Sequence, residues 1–337
     1  MTAAVTIQPE KQSWRRLFLA AAAIILLPMI PHVRAFLPIE QTMLLVIPAI
    51  AACALAGWRN GERLAFAALW TAVAVWMLAQ SAGPAGGSYD FMARGWALLL
   101  GACFGLSTIL ATGLSFFPRA LASLGVATVI SFGLAASGPG GSARVANVAK
   151  VEFTRRNSES IANLQRRSDS KEWKEMSANS PSLAEMPAMS EAQLRTIPPY
   201  SSTIVAALLG LESLAVLAFA WAVYHRFATH PVAPPLGRLR EFRFNDQLVW
   251  GLAAGATIFL LPRFVEGRSA GLNLMVFFGA LYMLRGLGIL AWMTRGRALM
   301  VALVFATLLA WPLVGILALG LGLGDTWLDW RKRAQSV

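Results

Sequence analysis

Charged residues, cysteine and histidine are scarce in this sequence, and each scarcity excludes a class of protein. Only 14% of the 337 residues are charged, whereas a soluble domain carries about 25%. Cys53 and Cys103 both lie inside apolar runs, and the sequence has no CxxC pair and no Cys/His cluster at metal-ligand spacing. We therefore expect no disulfide framework and no metal site, and we interpret both cysteines as small buried hydrophobic residues.

Motifs of common soluble enzymes are also missing. The sequence contains no GxxxxGK[ST] phosphate loop and no HExxH zinc motif. Gly138-Pro139-Gly140-Gly141 is interpreted as a linker and not as a phosphate cradle. We expect the chain not to be an enzyme, to carry no cofactor, and to bind no ATP through a motif of its own.

Long apolar runs make up most of the chain. Hydrophobic residues account for 57% of the sequence, and many runs approach the roughly 20 residues that a helix needs to cross a bilayer core. The pattern predicts an all-α, polytopic transmembrane helical bundle with about eight or nine spans and one amphipathic extramembrane insert. We expect a multi-pass protein of the bacterial cytoplasmic (inner) membrane.

Proline, glycine and charge mark the boundaries between these runs. They divide the chain into an N-terminal polar segment (1–16), a first transmembrane helix group (17–137), a polar amphipathic insert (138–199), a second transmembrane helix group (200–324) and a basic C-terminal tail (325–337). The first run, Leu17–Ile30, is short and lacks a small-residue cleavage site, which indicates an uncleaved helix. Eight spans result if this run is re-entrant or if the last run folds back near Pro312.

The basic residues are interpreted first as topology signals. The net charge is +12, and most basic residues lie between apolar runs, where they meet lipid headgroups. Their distribution favours a cytoplasmic N-terminus. We expect the lipid bilayer as a partner and no nucleic acid. Two GxxxG pairs, Gly101/Gly105 and Gly251/Gly255, predict close helix packing.

The insert has two interpretations that its sequence leaves open. Val148, Val151, Ile161 and Leu164 fall roughly at helical spacing, which favours an amphipathic, partly helical segment outside the hydrocarbon core. In that interpretation Trp173 and Met176 allow it to lie on the headgroups. The alternative is a loosely ordered loop.

Charged residues within apolar runs are costly, so they are the best functional candidates. Glu212 lies near the middle of the 200–225 run and Arg285 lies deep in the 270–293 run. We hypothesise that they form an ion pair, which either locks two helices or forms the polar floor of a substrate cavity or a proton-coupled site. Asn273 and Gln80 are weaker candidates, because amides often join helices.

The second half of the chain resembles a known family. The resemblance rests on Pro198-Pro199-Tyr200, Phe242-Arg243-Phe244, Leu272-Asn273-Leu274, Tyr282-Met283-Leu284-Arg285-Gly286, and a closing Gly-x-x-Asp-x-Trp-x-Asp-aromatic-Arg pattern over residues 322–331. These residues are similar to those of the YybS-like bacterial membrane proteins, a group defined as a domain of unknown function. The resemblance implies a distant similarity to the substrate-binding subunits of energy-coupling factor vitamin transporters, which bind a small molecule among their helices and dock on a separate transmembrane and ATPase module.

Two functions are therefore expected from the sequence. The first is a transport-related subunit that binds a small-molecule substrate and works with a membrane protein partner. The alternative is a non-enzymatic membrane scaffold or assembly factor that acts through the 138–199 insert.

Overall fold

The protein is α-helical throughout the part of the chain that the structure describes. This computed structural model describes residues 14–80, 87–178, 180–264, 267–294, 301–302, 305 and 309–329, and these ranges contain no strand. The α-helices that are bounded within them are α1 (Trp14–Leu26), α2 (Pro31–Arg34), α3 (Met43–Arg59), α4 (Leu64–Ala79), α5 (Gly87–Leu110), α6 (Phe116–Ser137), α7 (Gly141–Ser168), α8 (Lys171–Ser177), α9 (Pro181–Thr203), α10 (Val205–Phe227), α11 (Val249–Leu260), α12 (Arg268–Met293) and α13 (Trp311–Leu328). The all-α prediction is confirmed for these residues.

Several of these helices have the length and composition of membrane spans. Among the described residues, four helices with at least 18 residues are apolar enough to cross a bilayer, namely α5, α6, α10 and α12. Four shorter apolar segments accompany them: Met43–Arg59, Leu64–Ala79, Asp246–Leu260 and Pro312–Leu328. The chain is therefore a membrane protein with several transmembrane helices. The residues between α12 and α13 lie mostly outside the described residues, as does most of the N-terminal polar segment and of the C-terminal tail.

The chain divides into two compact units. The first comprises Met1–Arg195 and Ser213–Pro235, and the second comprises Thr196–Glu212 and Leu236–Val337. The division falls inside α10, after Glu212. The boundary near residue 137 that composition predicts is therefore internal to the first unit.

Helix α3 lies at the centre of the first unit because its small side chains allow neighbours on nearly every side. Most of its residues from Leu44 to Gly57 are buried. A Cβ added at Gly101 would lie 3.3 Å from the carbonyl oxygen of Pro48, and one added at Gly105 would lie 3.3 Å from the Cβ of Ala52. The first GxxxG pair thus allows α5 to approach α3 closely, as the sequence predicts.

The insert forms helices α7 and α8 and most of α9. One face of α7 is buried, with Ala149, Phe153, Arg156 and Ser160 at the spacing of one helical stripe. Arg156 fixes this face to the segment before α3, because its Nη1 donates to the carbonyl oxygens of Leu37 at 3.2 Å and Pro38 at 3.1 Å. The structure thus supports the helical interpretation and not the loose loop.

Helices α11 and α13 both pack against α12 in the second unit. A Cβ added at Gly255 would lie 2.9 Å from the carbonyl oxygen of Gly271, so the second GxxxG pair also lies in a close helix contact. A Cβ added at Gly286 would overlap the carbonyl oxygen of Ala318, and one added at Gly322 would overlap that of Tyr282. Helix α13 continues to Leu328, beyond the boundary predicted at residue 324.

Candidate functional site

Arg285 lies at the centre of a buried charged cluster in the second unit. Its Nε donates to Oδ2 of Asp325 at 3.0 Å, and its Nη1 donates to Oδ1 of Asp246 at 2.6 Å. Its Nη2 donates to the backbone oxygen of Asp325 at 3.3 Å. The guanidinium also lies 5.4 Å from the ring centroid of Phe244, and the hydroxyl of Tyr282 donates to the backbone oxygen of Asp246 at 3.4 Å. We call these five residues the Arg285 cluster.

The Arg285 cluster lies beside the interior of α12 and not at its ends. Arg285 is the eighteenth of the 26 residues of α12, and the residues on both sides of it are mainly apolar. Asp325 is in the last turn of α13, and Asp246 lies three residues before the start of α11. Close packing between Gly251, near the start of α11, and Phe278, the eleventh residue of α12, supports this placement. Two helix ends therefore meet beside the middle of a helix that is long enough to span a membrane.

Charge within the Arg285 cluster is not balanced. One guanidinium faces two carboxylates, and Oδ1 of Asp325 is buried without a hydrogen-bond partner. The side chain of Asp325 is 0% exposed, whereas that of Asp246 is 56% exposed. A lone Arg at the centre of a bilayer costs about 2.5–3.5 kcal/mol on insertion scales, so the first carboxylate compensates Arg285. The second carboxylate leaves a negative charge that can bind a positively charged group.

The partners of Arg285 differ from the one hypothesised from the sequence. Its ion pairs with described residues are formed with Asp246 and Asp325, and not with Glu212. Glu212 is buried, at 9% exposure, at the end of the second unit's part of α10. The predicted ion pair is thus not the one that the structure forms.

The two weaker candidates have different environments. Oδ1 of Asn273 accepts a hydrogen bond from the backbone nitrogen of Ala207 at 2.8 Å, and its Nδ2 donates to the backbone oxygen of Thr203 at 2.8 Å. These groups flank the junction of α9 and α10, so Asn273 satisfies backbone groups that the interrupted helix leaves open. Gln80 is exposed and follows the last residue of α4.

Asp246 and Asp325 were missed as site residues. The sequence places Asp246 near the end of a run, where a solvated carboxylate is expected, and assigns Asp325 to the C-terminal tail. The closing pattern contained a usable signal, because Gly322 and Asp325 are three residues apart and share one helix face. Gly322 allows α13 to approach α12, and Asp325 then reaches Arg285. Further along the same pattern, Asp329 accepts a hydrogen bond from Arg243.

The segment Gly267-Arg268-Ser269-Ala270-Gly271 matches Gly-x-Ser-x-Gly, the pattern of a hydrolase nucleophile elbow. An elbow serine follows a strand, whereas Ser269 lies in the first turn of α12. Its Oγ donates to the backbone oxygen of Thr203 at 3.3 Å. The structural context of a nucleophile elbow is therefore missing among the described residues, and the motif match gives no support for acyl transfer.

A cleft within the insert is a second candidate site. A cleft of about 340 Å³ is lined mainly by residues of α7, α8 and α9, including Leu164, Gln165, Trp173, Pro187, Ala188 and Glu191. Trp173 thus lines a cleft, where the sequence suggested a headgroup contact. Hydrogen bonds from Arg195 and then Gln165 lower the pKa of Glu191, so this carboxylate remains charged at neutral pH.

Comparison with known proteins gives a family and no closer relative. No curated protein and no solved structure matches the chain. Within the described parts of the chain, no group of three or more His, Cys, Asp and Glu side chains is placed to hold a metal ion. One family model matches residues 20–326, which include α3 to α12 and the whole Arg285 cluster. The chain therefore belongs to the family described as "Predicted membrane protein (DUF2232)".

Proposed function

We propose that this chain is a non-enzymatic, transport-related membrane subunit that binds a small molecule or ion beside the Arg285 cluster. The observation that carries the proposal is the meeting of two helix ends and an unbalanced carboxylate beside the middle of α12. Membrane transporters use interrupted helices in this way, because free helix ends and non-helical backbone can coordinate a charged ligand at depth. The resemblance to YybS-like proteins and to energy-coupling factor binding subunits supports the same function.

We also propose eight membrane crossings, formed by α3 to α6 and α10 to α13. Two contacts within the first unit are consistent with this count, because each joins two segments that an even number of crossings separates. Arg156 of the insert binds the carbonyl groups of Leu37 and Pro38, and the four crossings between them return the chain to the same side. The hydroxyl of Thr229 donates to Glu62 at 3.0 Å, again across four crossings. A further crossing by α1 gives nine. The proposed location is the bacterial inner membrane.

The direct test is to identify what the protein retains on purification. The tagged full-length chain is purified from its native membrane in mild detergent, and bound small molecules and inorganic ions are analysed by mass spectrometry. We expect a ligand with the wild type that is lost with Asp325→Asn and kept with Asp169→Asn, an exposed substitution of the same chemistry in the insert. A ligand bound equally by both variants contradicts the assignment of the Arg285 cluster as its site.

Protein partners in the same preparation separate this function from the alternative. Recovery of an energy-coupling transmembrane subunit with its ATPases supports a substrate-binding subunit. Recovery of ribosomal, insertion or envelope-assembly proteins without an ATPase module contradicts it and favours a scaffold.

The scaffold alternative is supported by the cleft in the insert. The cleft lies outside the proposed spans, and Arg166 and Arg167 lie close to it in sequence at the end of α7. If the insert binds a partner protein there, Trp173→Ala reduces partner recovery while Asp325→Asn does not. The opposite result favours the transport-related function.

A further inference from the structure

The first unit contains a buried guanidinium, that of Arg119, which forms no ion pair with a carboxylate of the described residues. Arg119 is in the first turn of α6 and its side chain is 0% exposed. Its Nη2 donates to the backbone oxygens of Ala111 at 2.9 Å and Leu114 at 2.7 Å, which follow the end of α5. The guanidinium also lies 5.1 Å from the ring centroid of Trp221. These contacts hold the side chain in place without cancelling its charge.

The remaining nitrogens of Arg119 are the unexplained feature. A guanidinium has five N–H donors in a fixed fork, and the recorded hydrogen bonds use Nη2 alone. Nε and Nη1 are buried and have no hydrogen-bond partner. These two atoms lie on different sides of the guanidinium, so each can donate a separate hydrogen bond to an oxygen of a bound anion. If Arg119 only capped the end of α5, that role would therefore use one of its three guanidinium nitrogens and leave the other two without a function.

His225 supplies a second group with the same property. It lies in the last turn of α10, with its ring centroid 4.9 Å from that of Trp221. Its Nε2 is buried and has no hydrogen-bond partner. Arg119 and His225 thus contact the same indole ring, and each presents unused hydrogen-bonding nitrogen.

The position of the two residues gives an anion a short route to them. Residues 112–115, which connect α5 and α6, are exposed. Arg119 lies one helical turn beyond this connection.

We propose that Arg119 and His225 form a binding site for a phosphate-bearing anion beneath the connection between α5 and α6. The ligand is either the phosphate of an anionic lipid headgroup or a soluble phosphate compound, because both present the same oxygens. The site belongs to the first unit and does not depend on the function proposed for the Arg285 cluster.

The test measures phosphate and lipid binding by the full-length protein in two arms. In the first, delipidated protein is titrated with inorganic phosphate at constant ionic strength, with chloride as the balancing anion, and its melting temperature is recorded. In the second, the protein is placed in phosphatidylcholine nanodiscs with or without phosphatidylglycerol, and retained lipid is counted by native mass spectrometry. The variants are Arg119→Gln, Arg119→Lys and His225→Gln, with Arg59→Gln as the control because Arg59 is exposed and carries the same charge.

We expect saturable binding in at least one arm, weakened roughly tenfold or more by Arg119→Gln and unchanged by Arg59→Gln. Binding of inorganic phosphate identifies a soluble ligand class, and retention of phosphatidylglycerol alone identifies a lipid. Arg119→Lys keeps the charge but loses the fork, so it should also bind more weakly. If Arg119→Gln does not fold, Arg119→Lys and His225→Gln decide the outcome. The proposal is overturned if the wild type responds in neither arm, or if these variants bind as tightly as the wild type.

Discussion

Alanine substitutions along α12 should separate close helix packing from intrinsic helix preference. Gly286 and Gly279 lie two turns apart on this helix, but their surroundings differ. A Cβ at Gly286 would overlap the backbone oxygen of Ala318, whereas one at Gly279 would meet nothing within 4 Å. A backbone carbonyl cannot rotate away as a flexible side chain can, so α13 itself must move when Gly286 is replaced.

The size of the loss in stability can be scaled from a third glycine, Gly255, which has an intermediate amount of free space around it. A Cβ at Gly255 would lie 2.9 Å from the backbone oxygen of Gly271, and ordinary van der Waals contact begins at 3.4 Å, so α11 and α12 must separate by about 0.5 Å. Overpacking of this kind costs about 1–3 kcal/mol. Gly286→Ala forces a larger separation and also draws Asp325 away from Arg285, so we expect more than about 3 kcal/mol. Gly279→Ala should be neutral or stabilising by up to about 1 kcal/mol, because alanine is the better helix former.

The assay is unfolding of purified protein in mixed detergent micelles with increasing SDS, followed by far-UV circular dichroism. From most to least stable, the expected order is Gly279→Ala, then Gly255→Ala, then Gly286→Ala. A Gly286→Ala protein as stable as Gly279→Ala would show that α12 and α13 do not pack at this position, and the description of the Arg285 cluster would fail with it.

Three further predictions concern the charged contacts. Arg285→Gln should cost about 3–5 kcal/mol because it leaves Asp325 buried without its partner, and adding Asp325→Asn should restore part of that loss in the same SDS assay. Burial alone would raise the pKa of Glu152, but hydrogen bonds and charges from Arg155 and Arg156 outweigh it and lower that pKa below its ordinary 4.5. The charged Glu152 therefore stabilises α7 at pH values above its ordinary pKa, and this contribution is lost as the pH falls through the lowered pKa. Circular dichroism should show the loss at a higher pH in Arg155→Gln than in the wild type. Arg156→Gln should speed amide hydrogen exchange in α7 by about tenfold or more, because two hydrogen bonds to a charged group are lost.

Matched controls exist for two of these experiments. Arg268→Gln removes a charge from the exposed start of α12, and it should leave stability within about 0.5 kcal/mol of the wild type. Arg167→Gln does the same on the exposed face of α7 and should not change exchange there. Equal effects of Arg156→Gln and Arg167→Gln would mean that the insert is not held through Arg156.

The helices were predictable because apolar length is a local property of the sequence. The run predicted at 270–293 matches α12 to within two residues. Helix α3 begins at Met43, after Pro38 and the polar residues of the segment that Arg156 binds. The apolar spacing likewise indicated that α7 is helical, but it did not identify the buried face: Val151 is 60% exposed, and the buried stripe runs through Ala149, Phe153 and Arg156.

The partners of Arg285 were not predictable by the same reasoning. Hydropathy treats the end of an apolar run as the place where a helix leaves the membrane, so Asp246 and Asp325 were assigned to the surface. In the structure both helix ends lie beside the middle of α12, and their carboxylates reach inward. Glu212 was a reasonable partner only if both aspartates lie at the membrane surface. Where a helix end lies against its neighbours is decided by packing between distant segments, and that information is absent from any single run.

The short helices have a consequence for the surrounding lipid. At 1.5 Å per residue, the 12 residues of α11 reach about 18 Å and the 16 residues of α4 about 24 Å, whereas a typical hydrocarbon core measures about 30 Å. Lipid next to such helices must thin to cover them, at a cost of fractions of a kcal/mol for each ångström of mismatch. Short-chain lipids avoid that cost. As proposed membrane spans, these helices would give the protein a preference for thin membrane regions, and the thinned layer would bring water several ångströms closer to the charges beside α12.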